Sequence, residues 1–133
     1  MKGLVVKPRR KTIKLARGNK FGAIKTIVDG ITFDSKWEAE RYQQLQLRVK
    51  AGDIVGLRLQ VPYPCMVVEP DGCIVTIGKY LADFVYTDIN GIRVIEDTKG
   101  KSTDMFRWKK KHVEAQYGIE ILEVRKPKKR RRR

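Results

Sequence analysis

The chain has 133 residues, with 30 Lys and Arg against 15 Asp and Glu, for a formal charge of +15. This length favours a single domain, and 41% hydrophobic residues supply enough apolar surface to exclude wholesale disorder. No apolar run is longer than the four residues from Cys65 to Val68, so no membrane-spanning helix is expected. Two cysteines and one histidine exclude a zinc site of the usual Cys/His kind.

The charge is unevenly placed. Residues 1–25 hold nine basic side chains and no acid, and residues 125–133 hold eight more, again with no acid. The remaining 26–124 carry thirteen basic against fifteen acidic side chains, a net of −2. Basic ends on a near-neutral body suit a polyanion, because neutralising phosphates releases condensed counterions. The alternative, that the tails only keep the chain in solution, explains less well why both ends share one sign and lack interspersed acids. Leu4-Val5-Val6 is too short for a signal-peptide core, so an intracellular location is expected.

In chain order, residues 1–22 read as a basic, partly ordered arm. Thr26–Val28 and Ile31–Phe33 flank Asp29-Gly30, a dipeptide that suits a tight hairpin turn. Ser35 then opens a helix running to about Ala51, with Gly52 as its C-terminal stop. A strand over Ile54–Val61 follows, then a second hairpin of Cys65–Val68 and Cys73–Ile77 around Pro70-Asp71-Gly72. That turn sets Cys73 opposite Val68 and away from Cys65, which argues against a disulfide and for two cysteines buried as small hydrophobes. Lys79–Thr87 and Ile92–Lys99 pair around Asn90-Gly91. Ser102 or Thr103 caps a second helix ending at Tyr117-Gly118, and Ile119–Val124 alternates as a last strand before the tail 125–133. The pattern predicts an α/β domain over 23–124: a small mixed central sheet flanked by helices.

Four side chains in this domain carry chemistry. Strand alternation puts Asp97 and Lys99 on one face with Ile95 and Arg93, and Glu96 and Thr98 on the other. Asp83 is expected on a face with Leu81 and Val85, opposite Ala82, Phe84 and Tyr86. Pairing around Asn90-Gly91 would bring Asp83 and Asp97 together, and two close carboxylates raise each other's pKa unless a cation compensates. Oxygen-only ligands suit Mg²⁺ or Mn²⁺, and a neighbouring lysine can orient a hydrolytic water. On the first helix, Glu38 falls on the same stripe as Tyr42, Leu45 and Val49, where an unpaired charge is costly. Ser35-Lys36-Trp37-Glu38 also fits a capping box, so Glu38 has both a metal-ligand and a capping reading.

These residues resemble the Asp…(Asp/Glu)-x-Lys signature of the PD-(D/E)XK nuclease superfamily, with Asp83 followed by Asp97-Thr98-Lys99. More closely, Phe33-Asp34-Ser35-Lys36-Trp37-Glu38-Ala39, Ala82-Asp83-Phe84 and Glu96-Asp97-Thr98-Lys99-Gly100 are similar to a family of small phage-encoded proteins described as uncharacterised or as endonucleases. The likeness covers roughly residues 20–124. It differs from the superfamily pattern in having no proline before Asp83 and in using Asp97 where Glu is commoner. The resemblance implies a restriction-endonuclease-like core and a Mg²⁺-dependent DNA endonuclease, with Mn²⁺ as substitute. Asp83, Asp97 and Glu38 would be the metal ligands, and Lys99 the group assisting water. Small basic members of the endonuclease I type further imply branched, Holliday-junction-like DNA as substrate, a homodimer, and the host cytoplasm as location.

Candidate phosphate contacts are Arg9, Arg10 and Lys11 in the N-terminal arm, and Lys101 before the second helix. Arg107, Lys109, Lys110 and Lys111 on that helix and Lys128, Lys129 and Arg130 in the tail complete the set. Lys110 is the most suggestive of the helical group, lying near the stripe of Phe106, Val113 and Tyr117. Met105, Trp108 and His112 form a neighbouring stripe, read as core or dimer contacts in preference to base-stacking groups. The alternative to an enzyme is a non-catalytic nucleic-acid-binding protein whose acids are structural.

Overall fold

A computed structural model describes residues 25–99 and 101–130; the proposed contacts Arg9, Arg10 and Lys11 lie outside them. The elements are β1 (Thr26–Val28), β2 (Ile31–Phe33), α1 (Lys36–Lys50), β3 (Ile54–Val68), β4 (Ile74–Asp88), β5 (Arg93–Lys99), α2 (Asp104–Tyr117) and β6 (Ile121–Arg125). β1 and β2 form a two-stranded antiparallel sheet, and β3-β4-β5-β6 form a four-stranded mixed sheet. Only the β5–β6 pair is parallel, as a strand–helix–strand connection through α2 requires. The protein is therefore mixed α/β. No helix among the described residues is long and apolar enough to cross a membrane.

Local chemistry accounts for the helix ends. The Ser35 side chain accepts from the Glu38 amide at 3.1 Å, and Thr103 does the same for Phe106 at 3.2 Å. Arg48 and Lys50 in the last turn of α1 complement its dipole. Gly118 closes α2 at φ +63°, a left-handed cap that costs glycine least.

The region from Ile54 to Asp88 departs from expectation. Four short strands become two of 15 residues each, a single long hairpin turning at Glu69–Gly72. Pro62 and Pro64, which would interrupt an inner strand, are tolerated because β3 lies at the edge of the sheet. Part of that open edge is covered by α2. Gln116 and Tyr117 donate to the Pro64 carbonyl, and the Met66 amide donates to Gln116. Cys65 is buried opposite Gly78, whereas Cys73, expected inside, is exposed at the hairpin turn.

Two apolar clusters sandwich the sheet. Ala39, Tyr42 and Leu45 of α1 pack with Phe33, Ile54, Phe84 and Tyr86. Phe106 and Val113 of α2 pack with Tyr63, Tyr80, Ala82, Val85, Ile95 and Ile121. Val85 and Ile95 face α2 while their neighbours Phe84, Tyr86 and Val94 face α1, as strand alternation dictates. Burying side chains the size of Phe84 or Leu45 is worth about 1.5–3 kcal/mol each.

The alternation fails at one place. Leu57 and Leu59 pack toward α1, yet Val61, Tyr63 and Cys65 in the same row pack toward α2. On β4, Phe84 and Tyr86 lie toward α1, yet Ala82 and Tyr80 lie toward α2. The register 59↔84 and 61↔82 is unbroken across this point, which places Gln60 opposite Asp83. Gln60 has φ +50°, a left-handed value unusual for a side chain of its size. The expected grouping of Asp83 with Leu81 and Val85, against Ala82, Phe84 and Tyr86, is corrected accordingly: Ala82 joins Val85 on the α2 side.

Candidate active site

The sheet forks beside this point. The β4–β5 ladder runs from Thr87↔Arg93 to Phe84↔Glu96 and stops one pair short of Asp83 and Asp97. The Asp83 carboxylate fills the gap: its Oδ2 accepts from both the Thr98 amide and the Thr98 hydroxyl, each at 2.8 Å. Its Oδ1 accepts from Gln60 Nε2 at 3.2 Å. Beyond the fork, β4 and the start of α2 diverge around a cleft of about 480 Å³, whose walls include Asp83, Asp97, Lys99, Tyr80, Lys79 and Lys109.

Asp97 lies at the inner wall and is only 2% exposed. The Tyr80 hydroxyl donates to its Oδ2 at 2.5 Å. Its Oδ1 is faced by the Lys99 ammonium at 3.0 Å as an ion pair. Burial, then the charge of Asp83, push the Asp97 carboxyl up to about 6, against the opposing pull of Tyr80 and Lys99. Tyr80 is driven above the ordinary phenol range by burial and by Asp97. Lys99 is held from below by the Phe106 ring, 4.2 Å from its Nζ.

Glu38 is also withdrawn from water, at 6% exposure. Its Oε1 accepts from Gln60 Nε2 at 3.0 Å, so one carboxamide nitrogen bridges Glu38 and Asp83. Burial first, then the charges of Asp83 and Asp34, raise Glu38 to about 7, while the Asp34 backbone and Gln60 pull it down. Only half of the anticipated capping box is present: Ser35 caps the Glu38 amide, and Gln60 engages the Glu38 carboxyl. Glu38 does not line the larger cleft. It opens into a smaller depression of about 230 Å³ that also includes Asp34 and Gln60.

Three of the four expected side chains thus share one cleft, and the fourth is joined to it through Gln60. Among the described residues, no three His, Cys, Asp or Glu side chains stand together as a finished metal-ligand group. The donor chemistry nonetheless fits a hard cation. Mg²⁺ is commonly held by one or two carboxylates with water and phosphate oxygens, and Asp83 and Asp97 supply that pair. Asp97 Oδ1 is buried with the Lys99 ammonium as its partner, so a cation bound there would share or displace that ammonium. Glu38 would join them only if the Gln60 amide moved aside.

Glu96, next to Asp97, has a different surrounding. It is 0% exposed, points toward α1, and is gripped by Arg41 through two bonds of 2.9 and 2.7 Å, with the Tyr86 hydroxyl as a third donor. The guanidinium is held above its ordinary range chiefly by the Glu96 hydrogen bonds. Arg48 completes this side, 5.6 Å over the Tyr86 ring.

The basic side chains separate into groups. Lys109 borders the cleft, together with Lys79, which sequence reasoning did not single out. Lys110, expected to be the most suggestive, instead lies 3.9 Å from Glu123 and is half-buried. Arg107 pairs with Asp104 at the start of α2. Lys101, Lys111, Lys128, Lys129 and Arg130 are exposed. His112 is bound to the Met66 carbonyl and Gln116, both at 3.1 Å. Trp108 and Met105 are not core residues, being 52% and 63% exposed. Tyr80 and Thr98 also escaped the sequence reading, which left open whether Gln60, at the end of an apolar strand, points into the site or simply hydrogen-bonds; it does both. The fork that unites them depends on where β4 leaves β5, which no local pattern records.

Fold and site together define a mixed α/β domain with buried carboxylates and a lysine at a fork in its central sheet. The chain belongs to the family described as Protein of unknown function (DUF1064), which it matches over residues 18–130. No curated protein and no solved structure matches it.

Proposed function

We propose that this protein is a divalent-metal-dependent DNA endonuclease with a restriction-endonuclease-like core. The observation that carries the reading is the Asp83–Asp97–Lys99 arrangement at the sheet fork. Two acids from adjacent strands, one of them buried and raised to about 6, face a common cleft beside an ammonium 3.0 Å from the inner carboxylate. Asp83 and Asp97 would hold Mg²⁺ or Mn²⁺, and Glu38 would become a further ligand once released by Gln60. The cation would supply an activated water and charge neutralisation at the scissile phosphate.

The chain's own residues do the rest. Thr98 fixes the Asp83 carboxylate through two bonds, and Tyr80 fixes Asp97. Lys99, kept rigid over Phe106, is placed to orient the attacking water or to stabilise charge developing on the phosphate. Lys79 and Lys109 at the cleft wall supply attraction for the neighbouring phosphates. Branched DNA as substrate and a homodimer that cuts both strands extend this proposal, on the strength of small size, high charge and the resemblance noted above.

The test is incubation with linear, nicked and branched DNA, with and without Mg²⁺. Metal-dependent cleavage that falls by at least about a hundredfold in Asp97→Asn and Lys99→Ala supports the reading. Cleavage that survives both substitutions removes it. One observation favours a non-catalytic DNA-binding protein instead: Gln60, Thr98, Tyr80 and Lys99 between them give each of the three acids a protein partner without any ion. That reading expects salt-sensitive DNA binding, no response to Mg²⁺, and unchanged binding in Asp83→Asn.

A further inference from the structure

We infer that Trp108 is a stacking platform for an unpaired nucleobase at the rim of the cleft. This rests on the proposal that the protein acts on DNA, and narrows the substrate to DNA with single-stranded character next to the site.

Trp108 is the larger of two apolar side chains left uncovered on the outer side of α2, the other being Met105. With about 100° per residue, Met105, Trp108 and His112 fall within roughly 60° of the helix surface, away from the buried stripe of Phe106 and Val113. Met105 and Lys109 line the cleft, so the indole stands immediately outside it, one helical turn beyond Met105. The ring is already set in place. It stacks on the His112 imidazole with centroids 5.5 Å apart and planes at 28°. His112 is in turn pinned to the Met66 carbonyl and Gln116. One indole face is thus backed by an anchored ring, and the residue is half exposed. A flat aromatic face held this way offers stacking area at little entropic cost.

Charge decides the occupant. Lys109 lies on the cleft side of Trp108 and Lys111 on the outer side, while the nearest acid along the helix, Asp104, is already paired with Arg107. A second copy of this chain docked by the same face would set its own Lys109 and Lys111 against these, like charge against like. A nucleotide satisfies both features: its base covers the indole and its phosphates meet the flanking ammonium groups. Duplex DNA keeps its bases stacked internally and does not offer a free face to the ring.

Fluorescence separates this residue from the other tryptophan. Trp37 is half-buried, its indole nitrogen donating to the Val124 carbonyl at 3.0 Å, and Trp37→Phe leaves Trp108 as the sole reporter. The probes are an oligothymidylate of about a dozen nucleotides, a duplex of equal length, and a fork with single-stranded arms. The single strand and the fork should quench Trp108, and Trp108→Ala should weaken their binding by about tenfold, with Trp108→Phe restoring much of the loss. The blunt duplex should neither quench nor respond to Trp108→Ala. Single-strand binding without quenching, or equal quenching by the duplex, would overturn the inference. So would emission that changes with protein concentration alone while sedimentation reports a dimer. Quenching that persists in a chain without Mg²⁺-dependent cleavage would remove the nuclease reading and leave the platform standing. Absence of any DNA binding would remove both.

Discussion

Glu96 and Asp97 are consecutive, almost equally buried and both acidic, yet the sheet puts them in opposite electrostatic circumstances. On the α1 side, Glu96 receives a two-pronged guanidinium and a phenol, so its charge is matched where it sits. On the α2 side, Asp97 has a phenol, a single ammonium partly engaged with a phenyl ring, and a second carboxylate across the fork. The first arrangement closes on itself and holds α1 to the sheet. The second leaves two carboxylates with one ion-paired ammonium between them at the fork, a local imbalance that a bound cation would relieve. Burial alone therefore does not distinguish a structural acid from a reactive one; the count and geometry of its donors do.

The largest effect should come from breaking the closed side. Arg41→Ala leaves Glu96 buried and unpaired, and is expected to cost about 3–5 kcal/mol in urea denaturation. Asp97→Asn removes charge from the open side and should leave the metal-free chain as stable as before, or more so. A destabilisation of similar size in both variants would erase the contrast between the two sides.

A pH series sharpens it. The raised positions of Asp97, about 6 against 3.8, and Glu38, about 7 against 4.5, mean that the folded chain holds these protons after the unfolded chain has released them. The penalty is absent below about pH 3 and grows as the pH rises, complete for Asp97 above about pH 7 and for Glu38 above about pH 8. Relative to Asp97→Asn, the wild-type chain in chelator should lose on the order of 5 °C in melting temperature across that range. Saturating Mg²⁺ should offset the loss, because it favours the charged carboxylates.

Gln60 gives a smaller test. Its amide bridges Glu38 and Asp83, so Gln60→Ala should lower the metal-free melting temperature by a few degrees. It should also raise Mn²⁺ affinity by about threefold, a gain of less than 1 kcal/mol, as the two acids lose their competing donor. Calorimetric titration reads the second change directly. The smallest effect is expected at Lys110, whose 3.9 Å approach to Glu123 is a long, half-exposed pair. Lys110→Ala should change stability by no more than about 0.5 kcal/mol.

Much of the fold was legible from local chemistry. Asp29-Gly30 turned the first hairpin, Ser35 and Gly52 bounded α1, and Thr103 and Gly118 bounded α2 as their side chains require. The lengths of β3 and β4 were not legible, because Pro62, Pro64 and Gly78 read as interruptions when taken locally. An edge strand tolerates such prolines. The alternation that placed Asp97 and Lys99 together also held. It failed for Ala82, because a strand pattern assumes one unbroken pleat and the hairpin changes sides at Gln60, where φ is +50°. Glu38 showed the limit of helical periodicity. Its stripe correctly turned it inward with Tyr42 and Leu45, but only the tertiary path of β3 brings Gln60 to meet it. Val49, on the same stripe, is 36% exposed in the last turn of α1.

The central claim is that the fork between β4 and β5 holds a divalent cation. Crystals of the full chain soaked in Mn²⁺ and examined by anomalous scattering test it most directly. The account predicts a peak coordinated by Asp83 and Asp97, with the Lys99 ammonium displaced from Asp97 Oδ1. Clear density for both carboxylates with no anomalous peak between them, and Lys99 still paired to Asp97, would contradict it.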